Sequence, residues 1–156
     1  MVKLDYFNIN PDVKPEESLK DKFQKEREEW TDKIESMSNK IKQIFDIPTL
    51  MTDLYTERQR AVEYHHYLIS LAIGISRTYK ARYADRQDYY TFKSQIRYTS
   101  ETAKDNRIKV DLADLVEIRE TLDNHVKFMD ETLKSLDAII YAIPRRVEIE
   151  QISRGK

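Results

Sequence analysis

The chain has 156 residues, the size of one domain, and its formal net charge is −1 although 35% of its residues are charged. With 2 Gly and no Cys, it has little material for a glycine-rich phosphate loop, and it cannot form disulfides or cysteine-ligated metal sites. A net charge near zero means that any binding of nucleic acid depends on a local basic patch.

The charge is distributed unevenly along the chain. Residues 1–70 carry 11 Lys and Arg against 14 Asp and Glu, a net charge of −3. Residues 71–110 carry 9 against 4, a net charge of +5, and residues 111–156 carry 7 against 10, again −3. A basic middle between acidic flanks favours an acidic partner or a nucleic acid as its ligand.

The N-terminal part predicts an arm followed by a helix. Residues 1–15 contain Pro11 and Pro15 among polar residues and are predicted to form a flexible arm. Residues 16–46 predict an amphipathic helix, because apolar side chains recur at spacings of three, four and seven. These apolar positions are Phe23, Trp30, Ile34, Met37, Ile41 and Ile44.

A second, longer helix is predicted over residues 47–98. After Pro48 this stretch contains no further Pro and a single Gly, Gly74, which is a candidate position for a kink. At 1.5 Å per residue, a helix of this length would extend for about 75 Å. A rod of that length needs partners to bury its apolar face, which indicates a helical bundle or an oligomer.

Residues 99–110 predict a break, because the Asp105-Asn106 pair favours a turn. Residues 111–143 then predict a third helix with heptads, interrupted by Arg119. Pro144 is expected to stop or kink this helix before a basic tail, residues 144–156. The fold is therefore expected to be all-α, a bundle or coiled-coil oligomer. The predicted oligomerisation residues are Leu115, Leu122, Val126, Met129, Leu133, Leu136, Ile140 and Ile143.

No constellation of side chains predicts catalysis. His65 and His66 project about 100° apart on a helix and cannot chelate one metal ion together, and His125 stands alone beside the heptad positions. We therefore expect no metal, no cofactor and no enzymatic activity. No uncharged apolar run reaches 18 residues, so no membrane-spanning helix is expected either.

The basic middle contains the candidate binding site. Six Lys and Arg, five Tyr and Phe92 fall within residues 77–98, and several of them follow a helical stripe. Cations neutralise phosphates and tyrosine rings stack on exposed bases, a combination that suits single-stranded DNA. Alternatively, the tyrosines pack inside a bundle while the cations extend over them. The predicted DNA-binding residues are Arg77, Lys80, Arg82, Arg86, Tyr89, Tyr90, Lys93 and Arg97.

Residues 47–156 resemble the UvsY-type recombination mediators of large tailed phages. The resemblance lies in the order and spacing of short segments. These are Lys80-Ala81-Arg82 followed by Asp88-Tyr89-Tyr90, then Arg107-Ile108-Lys109-Val110-Asp111, then Leu136-Asp137-Ala138-Ile139, and a short basic end that finishes in Gly155-Lys156.

The resemblance implies a helical, non-enzymatic protein of DNA recombination, repair and replication. Members of this family form rings of six or seven subunits, bind single-stranded DNA, and contact the phage recombinase and the single-stranded-DNA-binding protein. They help to load the recombinase onto covered strands and stabilise its filament. By position in the motif, Lys80 and Arg82 would contact DNA, and the protein would lie in the cytoplasm of the phage host.

Two departures from the family pattern concern the basic segment. Four extra residues separate Lys80-Ala81-Arg82 from the tyrosines, and Thr91-Phe92 replaces the usual Ser-Gly, so the helix is expected to run on. Residues 1–46 match the family poorly. The alternative to a mediator is a coiled-coil scaffold or adaptor, which would show no affinity for DNA at moderate salt.

Overall fold

The computed structural model describes residues 18–41 and 47–155. The predicted arm, residues 1–15, lies outside the described residues. Within them the regular elements are α1 (Leu19–Lys40), α2 (Ile47–Asp88), a π-helical turn (Tyr89–Lys93), α3 (Glu101–Asp111) and α4 (Ala113–Arg154). All of these elements are helical, which confirms the predicted all-α fold.

Helix α1 begins at an N-cap and buries a heptad stripe. The hydroxyl of Ser18 accepts a hydrogen bond of 3.2 Å from the backbone N–H of Asp21, whose carboxylate lies in the positively polarised first turn. Phe23, Trp30 and Met37 follow at intervals of seven and are buried. The predicted helix therefore forms, but α1 ends at residue 40 and the last predicted turn lies outside the described residues.

The long helices α2 and α4 make the most extensive contact in the molecule, and α1 packs against both. Their shared interior, which we call the proximal core, is mostly aliphatic, with Phe23 and Trp30 contributed by α1. Burying each such side chain contributes about 1.5–3 kcal/mol. Its most deeply buried residues on α2 and α4 are Leu50, Leu54, Ala61, Leu68, Leu122, Met129, Leu136 and Ile143.

The heptad positions of α4 are thus used within one chain. Leu115, Leu122, Met129, Leu136 and Ile143 are buried in the monomer. The other three predicted oligomerisation residues are only half-buried at the edge of the proximal core, and these are Val126, Leu133 and Ile140. The buried set has no free surface to offer a partner, and the coiled-coil oligomer stays a prediction.

Of the two outcomes expected at Pro144, a stop is wrong, because α4 continues through it to Arg154, and a kink stays a prediction. Proline removes one backbone donor and disturbs the preceding turn. Val147, one turn later, still packs against the proximal core, and burial of its side chain favours continuation of the helix. The predicted basic tail is therefore the last part of α4.

The predicted break over residues 99–110 is also mostly wrong. The chain leaves the helical conformation at Ser94, whose ψ is 139°, and α3 begins after the N-cap Ser100. Asp105 lies inside α3, where its carboxylate pairs with Lys109 at 2.5 Å, and Ile108 is fully buried one turn on. These two contacts outweigh the turn preference of the Asp-Asn pair.

Candidate nucleic-acid interface

A second, smaller core lies at the far end of α2. Ile108, Leu112 and Leu115 are buried there, and Tyr79, Tyr83 and Tyr90 of α2 and the π-helical turn pack against them. We call this group of six residues the distal core. It joins the end of α2 to α3 and to the start of α4.

The hydroxyl groups of two of these tyrosines bind aspartates of α3. Tyr83 donates to Asp105 and Tyr90 donates to Asp111, each over 2.5 Å. Each hydrogen bond to a carboxylate holds the tyrosine in its protonated form, and so raises the pKa of Tyr83 and of Tyr90. Tyr90 is therefore a packing residue with a satisfied hydroxyl, as the alternative interpretation of the tyrosines expected.

Asp111 also attracts two arginines. Arg107 approaches its carboxylate at 3.2 Å and Arg86 at 3.9 Å, while Tyr90 donates to the same group. Half of the Arg86 side chain remains exposed. Arg86 is therefore held near α3 but keeps part of its guanidinium available to a ligand.

The remaining cations at this end project into solvent. Arg82, Lys93 and Arg97 are exposed, and within residues 18–41 and 47–155 they form no ion pair. Apolar side chains accompany them: Phe92 is 81% exposed and Tyr89 is 43% exposed. We call this region the distal surface, and it consists of Arg82, Arg86, Tyr89, Phe92, Lys93, Ile96 and Arg97.

Phe92 lies in the π-helical turn that follows α2. The backbone N–H of Ser94 donates to the carbonyl of Tyr89 over 2.9 Å, which closes a five-residue turn. A π-turn is wider than an α-turn and changes the direction of the side chains that follow it. The helix therefore runs on through Thr91-Phe92 as expected, but as a π-helical turn, and it ends at Lys93, short of the predicted end at residue 98.

Two predicted DNA-binding residues lie elsewhere. Lys80 and Arg82 are two positions apart, so their side chains project about 200° apart on the helix. Lys80 and Arg77 instead line a groove of about 350 Å³ between α2 and α4. The structure thus divides the eight predicted residues, with two in the groove and six at the distal end. The groove is lined by Ile69, Ala72, Ile73, Ser76, Arg77, Lys80, Asp123 and Val126.

Among the described residues, the most deeply buried titratable side chain is His125, which lies in the proximal core. Its Nε2 is 3.0 Å from the carboxylate of Glu26, and its ring stacks on Phe23 at 4.0 Å between ring centres. Arg27 donates to its Nδ1 over 3.4 Å, which fits a neutral ring whose Nε2–H donates to Glu26. Sequence placed His125 beside the heptad positions but gave no sign of these partners, which lie almost 100 residues away.

Within the described ranges, no group of three His, Asp or Glu side chains is arranged to hold a metal ion. Nor does any helix there have the length and apolar character needed to cross a membrane. Comparison with models of protein families, with curated proteins and with solved structures finds no match for this chain. The function must therefore be argued from the site and from the resemblance already described.

Proposed function

We propose that this protein binds single-stranded DNA through the distal surface and acts as a recombination mediator. The observation that carries the proposal is the combination, at one end of α2, of exposed rings with cations that pair with no acid in the described part of the chain. Elsewhere in the same segment the tyrosines are occupied by packing and by their bonds to aspartates. The ring of Phe92 is 81% exposed, and that of Tyr89 stays 43% exposed although its edge or face contacts the ring of Tyr90 at 5.2 Å between centres.

Single strands suit this surface better than duplex DNA. A ring that stacks on an unpaired base contributes about 1–3 kcal/mol, and stacking tolerates any base. Phe92 presents most of its surface to solvent, and Lys93 next to it can neutralise a phosphate. In a duplex the bases are already stacked on one another, so only the cations would contribute.

The mediator role rests on the resemblance. It implies that the protein assembles into a ring and contacts both a phage recombinase and a single-stranded-DNA-binding protein. A few cations per subunit suffice in such an assembly, because linked sites raise the overall affinity without new contacts. Of the two motif residues expected to contact DNA, Arg82 belongs to the distal surface and Lys80 does not.

Binding is tested by titrating a labelled single-stranded oligonucleotide, and a duplex of equal length, at several salt concentrations. We expect tight, salt-dependent binding with a preference for the single strand. The variant Arg82→Ala/Lys93→Ala/Arg97→Ala should reduce the slope of log affinity against log salt by about 2, because each single-strand contact contributes about 0.7. Its control, Lys20→Ala/Lys40→Ala/Lys127→Ala, removes three exposed cations elsewhere. Equal effects of the two variants would contradict the proposed surface.

Mediation is tested separately, by following assembly of a phage recombinase on DNA covered with its single-stranded-DNA-binding protein. We expect this chain to shorten the delay before assembly, and the triple distal variant to lose that effect. Binding without any change in assembly would leave a DNA-binding protein and overturn the mediator role.

An assembly scaffold is the second candidate, and it is favoured by large apolar side chains exposed on the long helices: Ile73 of α2 is 48% exposed and Tyr141 of α4 is 76% exposed. A scaffold would purify without nucleic acid, and its absorbance at 260 nm relative to 280 nm would be that of protein alone. If the protein binds no DNA at low salt, the mediator function is contradicted and the scaffold function is supported.

A further inference from the structure

Helix α1 runs antiparallel to α2, and its N-terminus points towards the distal surface. Tyr64 of α2 donates a hydrogen bond to Glu26 of α1. Further along α1, Lys33 pairs at 3.0 Å with Glu57, which lies earlier on α2. Helix α1 begins after its N-cap Ser18, about 12 Å before Glu26. The chain that leads into α1 therefore approaches from the side of the distal surface.

Arg82, the first cation of the distal surface, lies on the side of α2 that faces α1. It follows Tyr64 by 18 residues in an unbroken helix, which is five turns and about 27 Å. Because α1 extends over about 12 Å of this length, Arg82 lies about 15 Å beyond Ser18. Arg86 and Tyr89 follow on the same side, one and two turns later. An extended chain rises about 3.3 Å per residue, so about five residues would connect Ser18 with Arg82.

The segment that precedes Ser18, residues 1–17, lies outside the described residues, but its composition complements that of the distal surface. It has four acidic residues against two lysines, a net charge of −2, and an adjacent pair of rings, Tyr6 and Phe7. Carboxylates pair with the cations that would otherwise hold phosphates, and rings stack as bases do. The four acidic residues are Asp5, Asp12, Glu16 and Glu17.

The order of these groups along the segment also matches their order on the surface. Asp12 lies six residues before Ser18, a reach of about 20 Å in an extended chain, which is enough to meet Arg82. Tyr6 lies twelve residues before Ser18, a reach of about 40 Å, whereas Phe92 lies about 30 Å beyond Ser18. The acids nearest to α1 can thus reach the arginines, and the rings of the segment can reach the exposed rings.

We propose that residues 1–17 bind the distal surface of their own chain and compete there with single-stranded DNA. Arg82, Lys93 and Arg97 pair with no acid in the described part of the chain, and the segment supplies carboxylates for them. Because the segment is tethered, its effective concentration at the surface is in the millimolar range, so a weak contact is enough. The inference rests on the proposed function, since it concerns regulation of the same surface.

The tether selects this segment over other occupants. The groove at Lys80 lies about 160° around α2 from Tyr64, so the segment would have to cross the helix to enter it. An acidic peptide of another protein has the same chemistry, but it must displace a segment that is already held beside the site. The direction of α1 therefore favours a contact within one chain.

The contact is tested without DNA by treating the full chain with a carbodiimide, which joins a carboxylate to an amine beside it. We expect Asp5 or Asp12 to be linked to Lys93, the lysine of the distal surface, and not to the exposed Lys127 of α4. An equal mixture of protein with light and with heavy nitrogen shows whether each link joins one chain or two. Absence of the link to Lys93, equal linking to Lys127, or links mainly between two chains would overturn the proposal.

Competition is tested with the full-length variant Asp12→Asn/Glu16→Gln, which removes the net charge of the segment. If the segment covers the surface about 90% of the time, its release raises the apparent affinity about tenfold. We therefore expect this variant to bind a single-stranded oligonucleotide about tenfold more tightly than its control, Asp32→Asn/Glu35→Gln, which removes two exposed acids of α1. Equal affinity of the two variants would contradict competition.

The two readouts separate this proposal from the proposed function. If no variant binds DNA but the link to Lys93 forms, the DNA-binding function fails and the contact within the chain is supported. If DNA binds tightly, no link forms and the two variants are equal, the function stands and the competition fails.

Discussion

The proximal and distal cores are built on the same two long helices but from different side chains. The proximal core is mostly aliphatic, with Phe23 and Trp30 contributed by α1 and one buried histidine, and it joins α1 to α2 and α4. The distal core has three buried aliphatic residues and depends on three tyrosines whose rings pack against them. Its polar bonds, from Tyr83 and Tyr90 to aspartates, are part-buried at the edge of this core.

In the basic, tyrosine-rich segment, residues 77–98, some side chains pack in the distal core and others remain exposed to a ligand. Tyrosine can pack with its ring and satisfy its hydroxyl at the edge, so a small core can form within a highly charged segment. The cations between the tyrosines are displaced outward as a consequence. The sequence left open whether this segment packs or binds a ligand. In the structure the tyrosines Tyr79, Tyr83 and Tyr90 pack, and the cations proposed to bind a ligand are exposed.

The largest effect is expected from an alanine in the proximal core. Leu68 is fully buried where α2 meets α4, so Leu68→Ala leaves a cavity that costs about 2–5 kcal/mol of unfolding free energy. Urea denaturation followed by circular dichroism measures this loss. A change below about 1 kcal/mol would show that the two helices do not pack as described.

A smaller and local effect is expected in the distal core. Ile108 anchors α3, so Ile108→Ala should release that helix while the proximal core stays folded. Hydrogen exchange should accelerate in residues 101–111 and remain slow in α1. Equal acceleration in both would contradict the independence of the two cores.

A third prediction concerns acid stability of the proximal core. Burial tends to raise the pKa of Glu26, but hydrogen bonds from His125 and Tyr64 outweigh burial and hold it below 4.5. A lowered pKa means that the ionised carboxylate stabilises the fold above the unfolded pKa, and that this contribution is lost as the pH falls through the folded pKa. Glu26→Gln should therefore be less stable than the unaltered protein near neutrality.

The difference in unfolding free energy between Glu26→Gln and the unaltered protein should also shrink as the pH falls from ~6 to ~3. Urea midpoints across this range measure the convergence. A constant difference between them would contradict the assigned role of the Glu26 carboxylate.

The smallest effect is expected from the tyrosine hydroxyls. Tyr83→Phe keeps the ring but removes the bond to Asp105, at a cost of about 1 kcal/mol or less. In the unaltered protein the pKa of Tyr83 is raised above its unfolded value, near 10.0. The hydrogen bond of its hydroxyl therefore stabilises the fold fully at pH values below 10.0, and this stabilisation is lost as the pH rises through the pKa of the folded state. Loss of α3 protection should therefore begin at high pH, and should be smaller in the phenylalanine variant.

The sequence predicts most of the helices, because apolar residues that recur at heptad spacing lie on one face of a helix and that face is buried. It failed where tertiary contacts override a local cue, as at Pro144, where Val147 remains packed, and at Asp105, which is paired inside α3. The opposite directions of Lys80 and Arg82 follow from helical geometry alone. So does the exposed side of Phe92, which lies two positions after the packed Tyr90, whereas the π-helical turn itself has no signature in the sequence.

The most direct test of the central claim is to locate bound DNA on the protein. A single-stranded oligonucleotide that carries a photoreactive uracil is bound at low salt and cross-linked by ultraviolet light, and the modified peptide is identified by mass spectrometry. The account predicts cross-links at Tyr89 or Phe92, and their disappearance in the triple variant Arg82→Ala/Lys93→Ala/Arg97→Ala. Cross-links confined to α1 or to the groove at Lys80 would contradict it.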